Sequence, residues 1–159
     1  MSDFLQICFA GLAIGARYAL VALGFVIIYK ATGVINFAQG ALLALGAYLC
    51  YALVNSADVP FWPAVIGAAL GTALVGAAAE RLVLRRMVGQ PIFAVIMITI
   101  GLLFIIEQVI TSIWGFDALN LNDPWGVETV DIGSVGLAVR DLWTLAIAGV
   151  VLAMFFAFF

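Results

Sequence analysis

The stretch "TGVINFAQGALLALGAY", Thr32 to Tyr48, decides how this chain is read. Apolar runs flank it on both sides, yet it holds two early glycines, an asparagine and a glutamine, too few polar residues for an ordinary loop. An unpaired backbone group in hydrocarbon costs several kcal/mol, so a break at membrane depth survives only inside protein or beside water. Gly33 can take a positive φ and end a first helix near Lys30. Asn36 then suits the N-cap of a second helix. Gln39 and Gly40, three and four positions on, share its helical face, and Ala44 and Ala47 continue it. Two uses fit such a face: a turn that is merely capped and packed, or the start of a solute path beside a helix N-terminus, where free N–H groups carry partial positive charge.

Composition agrees with a membrane setting. Hydrophobic residues are 67% of 159 positions and charged residues 9%, with a mean hydropathy of +1.27. A soluble domain needs far more polar surface. A net charge of −3 gives no basic face for nucleic acid. The chain has no histidine, which removes imidazole catalysis and His-ligated zinc, and it has no GxxxxGK[ST] phosphate loop. No catalytic set, metal site or cofactor is expected. Cys8 and Cys50 stand in apolar runs toward the same membrane surface and read as buried small hydrophobes, a disulfide being the alternative. "MSDFLQ" lacks a cation and the run after it is too long for a cleavable signal, so the first span is expected to be retained.

About 20 apolar residues cross a bilayer. That measure gives an all-α polytopic fold over residues 1–159, with spans at 4–29, 36–54, 61–79, 92–114 and 142–159 and an outer loop at 115–141. The second span covers about 28 Å at the helical rise, barely the hydrocarbon thickness. The run "AMFFAFF" ends the sequence without a polar flank, so the expectation is a chain truncated at its fifth span. Arg81, Arg85, Arg86 and Lys30 fall on one side and Asp3, Asp58, Asp117, Asp123, Glu128, Asp131 and Asp141 on the other. The positive-inside rule therefore sets the N-terminus outside. Trp62, Trp114 and Trp143 at span ends, with Trp125 in the loop, lie on that outer side too. Pro60, Pro63 and Pro91 suit helix starts, where a missing N–H costs little. "VETVDIGSVGLAV" alternates around Gly133-Ser134 and reads as a hairpin or an irregular loop. Gly11/Gly15 and Gly67/Gly71 are spaced for close helix packing.

Two charges lie well inside spans. A central arginine costs about 2.5–3.5 kcal/mol to insert, so Arg17 should face protein or water. Glu107 stands at a depth differing by about 7 Å, within reach of an arginine. An intramembrane Arg17–Glu107 ion pair is one expectation; Arg17 snorkelling along its own helix is the other. Glu80, Arg81, Arg85 and Arg86 form a cytoplasmic-face anchor in the headgroup layer, or a docking point for a cytoplasmic partner. Thr99 is a further pathway candidate beside Asn36, Gln39 and Gly40, although a hydroxyl there usually bonds its own helix.

Tyr18-Ala19-Leu20, Asn36-Phe37-Ala38-Gln39-Gly40 and Gly46-Ala47-Tyr48 together resemble the N-terminal region of membrane permease subunits of branched-chain amino-acid ABC transporters. "ERLVLRRMVGQP" and "ITIGLLFIIEQ" resemble the family's arginine-bearing inner loop and a later span, so the likeness covers most of Arg17 to Gln108. Gln39 stands where the family usually has His, and Glu107 where an amide is common. The resemblance implies a multi-pass protein of the bacterial inner membrane importing branched-chain or related amino acids. Its partners would be a second permease subunit, identical or homologous, two cytoplasmic ATP-binding subunits that hydrolyse ATP, and an external substrate-binding protein. The loop contacting the ATPase would lie beyond residue 159, so the chain alone would not transport. The same permease type carries urea or short amides, which is the nearest alternative. A small oligomeric channel or a membrane scaffold is the alternative of another class.

Overall fold

The computed structural model describes residues 2–115, 119, 121, 129–132 and 135–158. Among the described residues five α-helices carry the fold: α1 Ser2–Thr32, α2 Gln39–Asn55, α3 Phe61–Leu82, α4 Ile92–Trp114 and α5 Val139–Phe158. A 3-10 turn, Leu84–Met87, joins α3 to α4. Two short antiparallel strands, β1 Thr129–Ile132 and β2 Val135–Ala138, pair from Thr129↔Ala138 to Ile132↔Val135. Of the two readings of this segment, hairpin or irregular loop, the paired strands match the hairpin, and Gly133-Ser134 lies outside the described residues.

Local chemistry sets the helix ends. Gly33, at φ +69°, takes a conformation L side chains rarely adopt, and its N–H donates to the Tyr29 carbonyl at 2.7 Å, closing α1. Thr32 adds a hydroxyl bond to the Ile28 carbonyl at 2.7 Å. Pro60 and Pro91 occupy the positions just before α3 and α4. Gly115, at φ +77°, stops α4, its N–H returning to the Thr111 carbonyl at 2.9 Å.

Among the described residues four helical segments are long and apolar enough to cross a membrane: Gln6–Lys30, Phe61–Met87, Ile92–Trp114 and Val139–Ala157. With 17 residues, α2 is apolar but shorter, about 26 Å at the helical rise. Large apolar side chains such as Ile66, Leu74, Phe104 and Ile105 are exposed, as expected of residues whose solvent is lipid. The chain is a helical, multi-pass membrane protein. The first helix begins two residues before the expected span, α1 and α3 each end three residues beyond theirs, and two further starts move by three residues. The second helix begins at Gln39 instead of Asn36, and the fifth at Val139 instead of Leu142, which brings Arg140 and Asp141 into its first turn.

The chain divides into two compact units, residues 1–24 with 124–159, and residues 25–123. In the second unit α2 packs against both α3 and α4. Toward α4, Ala38, Ala41 and Leu45 meet Ile106 and Ile110, and Tyr48 lies against Trp114 with ring centroids 5.4 Å apart. Toward α3, Cys50 is buried with Ala64 and Ala68. Glycine makes this second contact close. A Cβ at Gly67 would sit 3.0 Å from Leu53 Cδ1, at Gly71 3.2 Å from Leu49 Cδ1, and at Gly46 3.0 Å from Thr72 Oγ1. The Gly67/Gly71 spacing thus acts as expected, whereas Gly11 and Gly15 have open space where a Cβ would stand. Cys50 is buried, Cys8 is exposed and both are free thiols.

In the first unit Ala13 and Ala148 are buried. Arg17 Nη2 donates to Asp141 Oδ1 at 2.6 Å. Arg17 is thus paired with Asp141 within its own unit, and Glu107 belongs to the other unit. Counting residues from the membrane surface gives a charge its depth but not its neighbour, and the earlier start of α5 makes Asp141 part of that helix. Asp141 also stands in the first turn, where the helix dipole favours an anion.

Candidate functional site

The break after α1 is a compact turn. Asn36 is 6% exposed. Its Oδ1 accepts the Ala38 N–H at 3.0 Å, and its carbonyl accepts the Gln39 N–H at 3.2 Å. The Ala38 carbonyl then receives the Leu42 N–H at 3.0 Å, and the helix is under way. Ala38, with no side-chain acceptor, holds the N-cap position. Asn36 therefore does not cap α2 directly. It closes the turn one step earlier, and the first residue able to continue helical bonding is Gln39.

This shift changes which face is packed. Ala38, Ala41 and Leu45 form the buried stripe, while Gly40 and Ala47 are exposed and Ala44 is half-buried. The expected face through Gly40, Ala44 and Ala47 is displaced by about one residue, or 100° around the axis. Gln39 is half-buried, with its Oε1 shielded from solvent. Thr99 is fully buried, and its hydroxyl donates to the Ile96 carbonyl of its own helix at 2.9 Å.

A cleft of about 560 Å³ opens at the break. Its walls come from the last turn of α1, the turn itself, the connection between α3 and α4, and the first turns of α4. Asn36 lines it together with Glu80, Arg85 and Gln90, while Gln39, Gly40 and Thr99 do not. Ile28, Val34, Ile35, Val95 and Ile96 supply apolar wall. The Asn36 Oδ1 is engaged by Ala38, and among the described residues its side-chain nitrogen has no protein partner. Arg81 and Arg86 are exposed and stand outside the cleft. Glu80 makes no ion pair among the described residues. The structure thus joins Asn36 to two members of the expected anchor, Glu80 and Arg85, a grouping that helical periodicity does not reveal. Gln90 and Tyr29, also lining the cleft, were not singled out from sequence. Their signal was proximity to Gly33 and Pro91, the two points where helices are interrupted.

A second, apolar groove of about 730 Å³ runs along α2 and α3, lined by Leu42, Tyr51, Phe61, Val65 and Thr72 among others. It offers little polar chemistry.

The family model for the permease component of branched-chain amino acid transport systems matches residues 7–159. The chain belongs to this family of membrane permeases. The high-affinity branched-chain amino acid transport system permease protein LivH of Escherichia coli strain K12 is 39% identical over 51 residues, which are 32% of this chain and 17% of that protein. LivH of Salmonella typhimurium matches to the same extent. BraD of Pseudomonas aeruginosa, of the same description, is 36% identical over 52 residues, 33% of this chain and 17% of its own length. The matched segment is therefore about a sixth of the curated relatives. No solved structure matches the chain.

Proposed function

We propose that this chain is the membrane permease subunit of an ABC importer for branched-chain or related amino acids. In this reading it sits in a bacterial inner membrane with its N-terminus outside. A second permease subunit, two cytoplasmic ATP-binding subunits and an external binding protein complete the assembly, and ATP is hydrolysed by the partners. Family membership supports the permease role. The carrying observation is the buried turn at Asn36, which opens onto a cleft instead of being sealed by apolar packing. Irregular backbone in a membrane protein is tolerated beside a cavity, and transporters place such helix breaks at their solute path. Arginines on the connection between α3 and α4 support a cytoplasmic position for the cleft.

The test is uptake of labelled L-leucine by bacteria lacking their own branched-chain importers, with this chain supplied alongside its ATPases, second permease and binding protein. Uptake that requires both this chain and ATP is expected. Uptake of urea with none of leucine would reassign the substrate, and no uptake of either would remove the transport reading.

A further inference from the structure

We infer that the connection between α3 and α4 is a binding surface for an anionic phospholipid, with Arg81, Arg85 and Arg86 on its phosphate and the neighbouring apolar side chains against its acyl chains. The surface depends on the membrane setting of the chain, whatever solute the chain carries.

Charge is concentrated at this end of the second unit. Of the six Lys and Arg residues in the sequence, four are Lys30, Arg81, Arg85 and Arg86. Arg81 stands in the last turn of α3, and Arg85 and Arg86 in the 3-10 turn that follows. From Arg81 to Arg86 such backbone rises about 10 Å or less, so the three guanidinium groups share one patch of surface. Tyr29 and Thr32 line the same cleft as Arg85, which brings the end of α1, with Lys30, beside the connection. All three arginines are exposed, and none makes an ion pair among the described residues. Glu80 is the single acidic residue between Asp58 and Glu107 in the sequence, so the patch keeps an excess of positive charge.

Large apolar side chains adjoin these cations. Leu82 is 61% exposed, Val88 81%, Ile92 78% and Phe93 71%. The arginines fall at the end of the apolar segment Phe61–Met87, and the next segment opens at Ile92. Guanidinium groups at headgroup depth and bare hydrocarbon beside them match the two parts of a phospholipid. A zwitterionic lipid brings an ammonium group with its phosphate and leaves the excess charge unbalanced. An acidic protein surface would have to reach arginines standing level with the headgroups. An anionic phospholipid supplies an uncompensated phosphate, which a guanidinium can bind through two parallel hydrogen bonds, and chains for the apolar residues. Basic surfaces between membrane helices on the cytoplasmic side recognise anionic headgroups in this way.

The experiment is native mass spectrometry of the purified full chain in detergent, titrated with phosphatidylglycerol or phosphatidylcholine carrying the same oleoyl chains. Phosphatidylglycerol should bind more tightly, by about fivefold for each arginine that engages its headgroup. Replacing all three arginines by glutamine should abolish the preference, and replacing them by lysine should keep most of it. Glu80→Gln should raise it, because a repelling carboxylate is gone. Arg140→Gln, in the first turn of α5, should leave it unchanged. Circular dichroism confirms that each variant is helical; where the triple glutamine variant does not fold, Arg81→Gln, Arg85→Gln and Arg86→Gln carry the test singly, each expected to weaken the preference. Equal binding of the two lipids by the folded wild-type chain would overturn the proposal and leave the arginines to an acidic protein surface. A preference that survives in the folded triple variant, or in all three single ones, would overturn it as well. So would an equal loss on Arg140→Gln, which would make the preference a matter of overall charge.

Discussion

Gly33 and Asn36 settle the path of the chain between the first two helices, each by a different means. At φ +69° Gly33 has open space where a Cβ would stand, so replacing it by alanine costs backbone strain and no collision. Gly33→Ala should lower stability by about 1–2 kcal/mol, read as a lower melting temperature in detergent by scanning fluorimetry. Asn36 holds its turn through one side-chain oxygen. Asn36→Ala should cost about 1 kcal/mol in the same assay, while Asn36→Asp, which keeps the acceptor, should restore much of it. Asn36 stands out in the sequence as an amide between two apolar runs, and Gly33 because it follows Lys30 at the end of the first of them. What the residues do not announce is the offset between them and the helix. Asn at a helix start is read as the N-cap, and here a two-residue turn intervenes, so that the buried stripe is Ala38, Ala41 and Leu45 instead.

Between elements, the decisive contact is α2 on α3, where glycine on one helix accepts a side chain from the other. The neighbours differ in how freely they can yield. Leu53 Cδ1, opposite Gly67, is the end of a flexible chain, whereas Thr72 Oγ1, opposite Gly46, is tied to the Ala68 carbonyl at 2.8 Å. Gly46→Ala should therefore destabilise more than Gly67→Ala, the former by about 1–3 kcal/mol and the latter by less than about 1 kcal/mol, measured by thermal melting of the purified chain. The small-residue spacing at Gly67 and Gly71 was legible without a structure. Gly46 was not, because it lacks a glycine partner at four residues and its role appears only once Thr72 faces it. Element boundaries were legible wherever a proline or a positive-φ glycine marks them, as at Pro60, Pro91 and Gly115. The start of α5 has no such mark, and there the boundary moved by three residues.

At the scale of the whole molecule, charge placement carries the predictions. Arg17 and Asp141 are 124 positions apart in sequence and form one ion pair, its arginine half exposed and its aspartate 22% exposed. Arg17→Asp and Asp141→Arg should each lower thermal stability, and the exchanged double variant should recover part of the loss, with a coupling of about 0.5–3 kcal/mol by a double-mutant cycle. No coupling would reduce the pair to a chance juxtaposition of two side chains. Orientation is checked separately: in a Cys8→Ser background, Arg85→Cys should react with an impermeant maleimide only after cells are opened, and Asp58→Cys before. Sequence established the helical, multi-pass class. It could not pair Arg17 with Asp141, since long-range neighbours depend on how helices assemble, which hydropathy does not encode. The short second helix has a mechanical corollary. At about 26 Å it falls below the roughly 30 Å of an average hydrocarbon layer. Either the leaflet dimples around the Asn36 turn or the turn hangs below the headgroups, and a thicker bilayer strengthens that tension at a fraction of a kcal/mol per ångström. Acyl-chain length thereby becomes a dial on how open the mouth beside Asn36 stands.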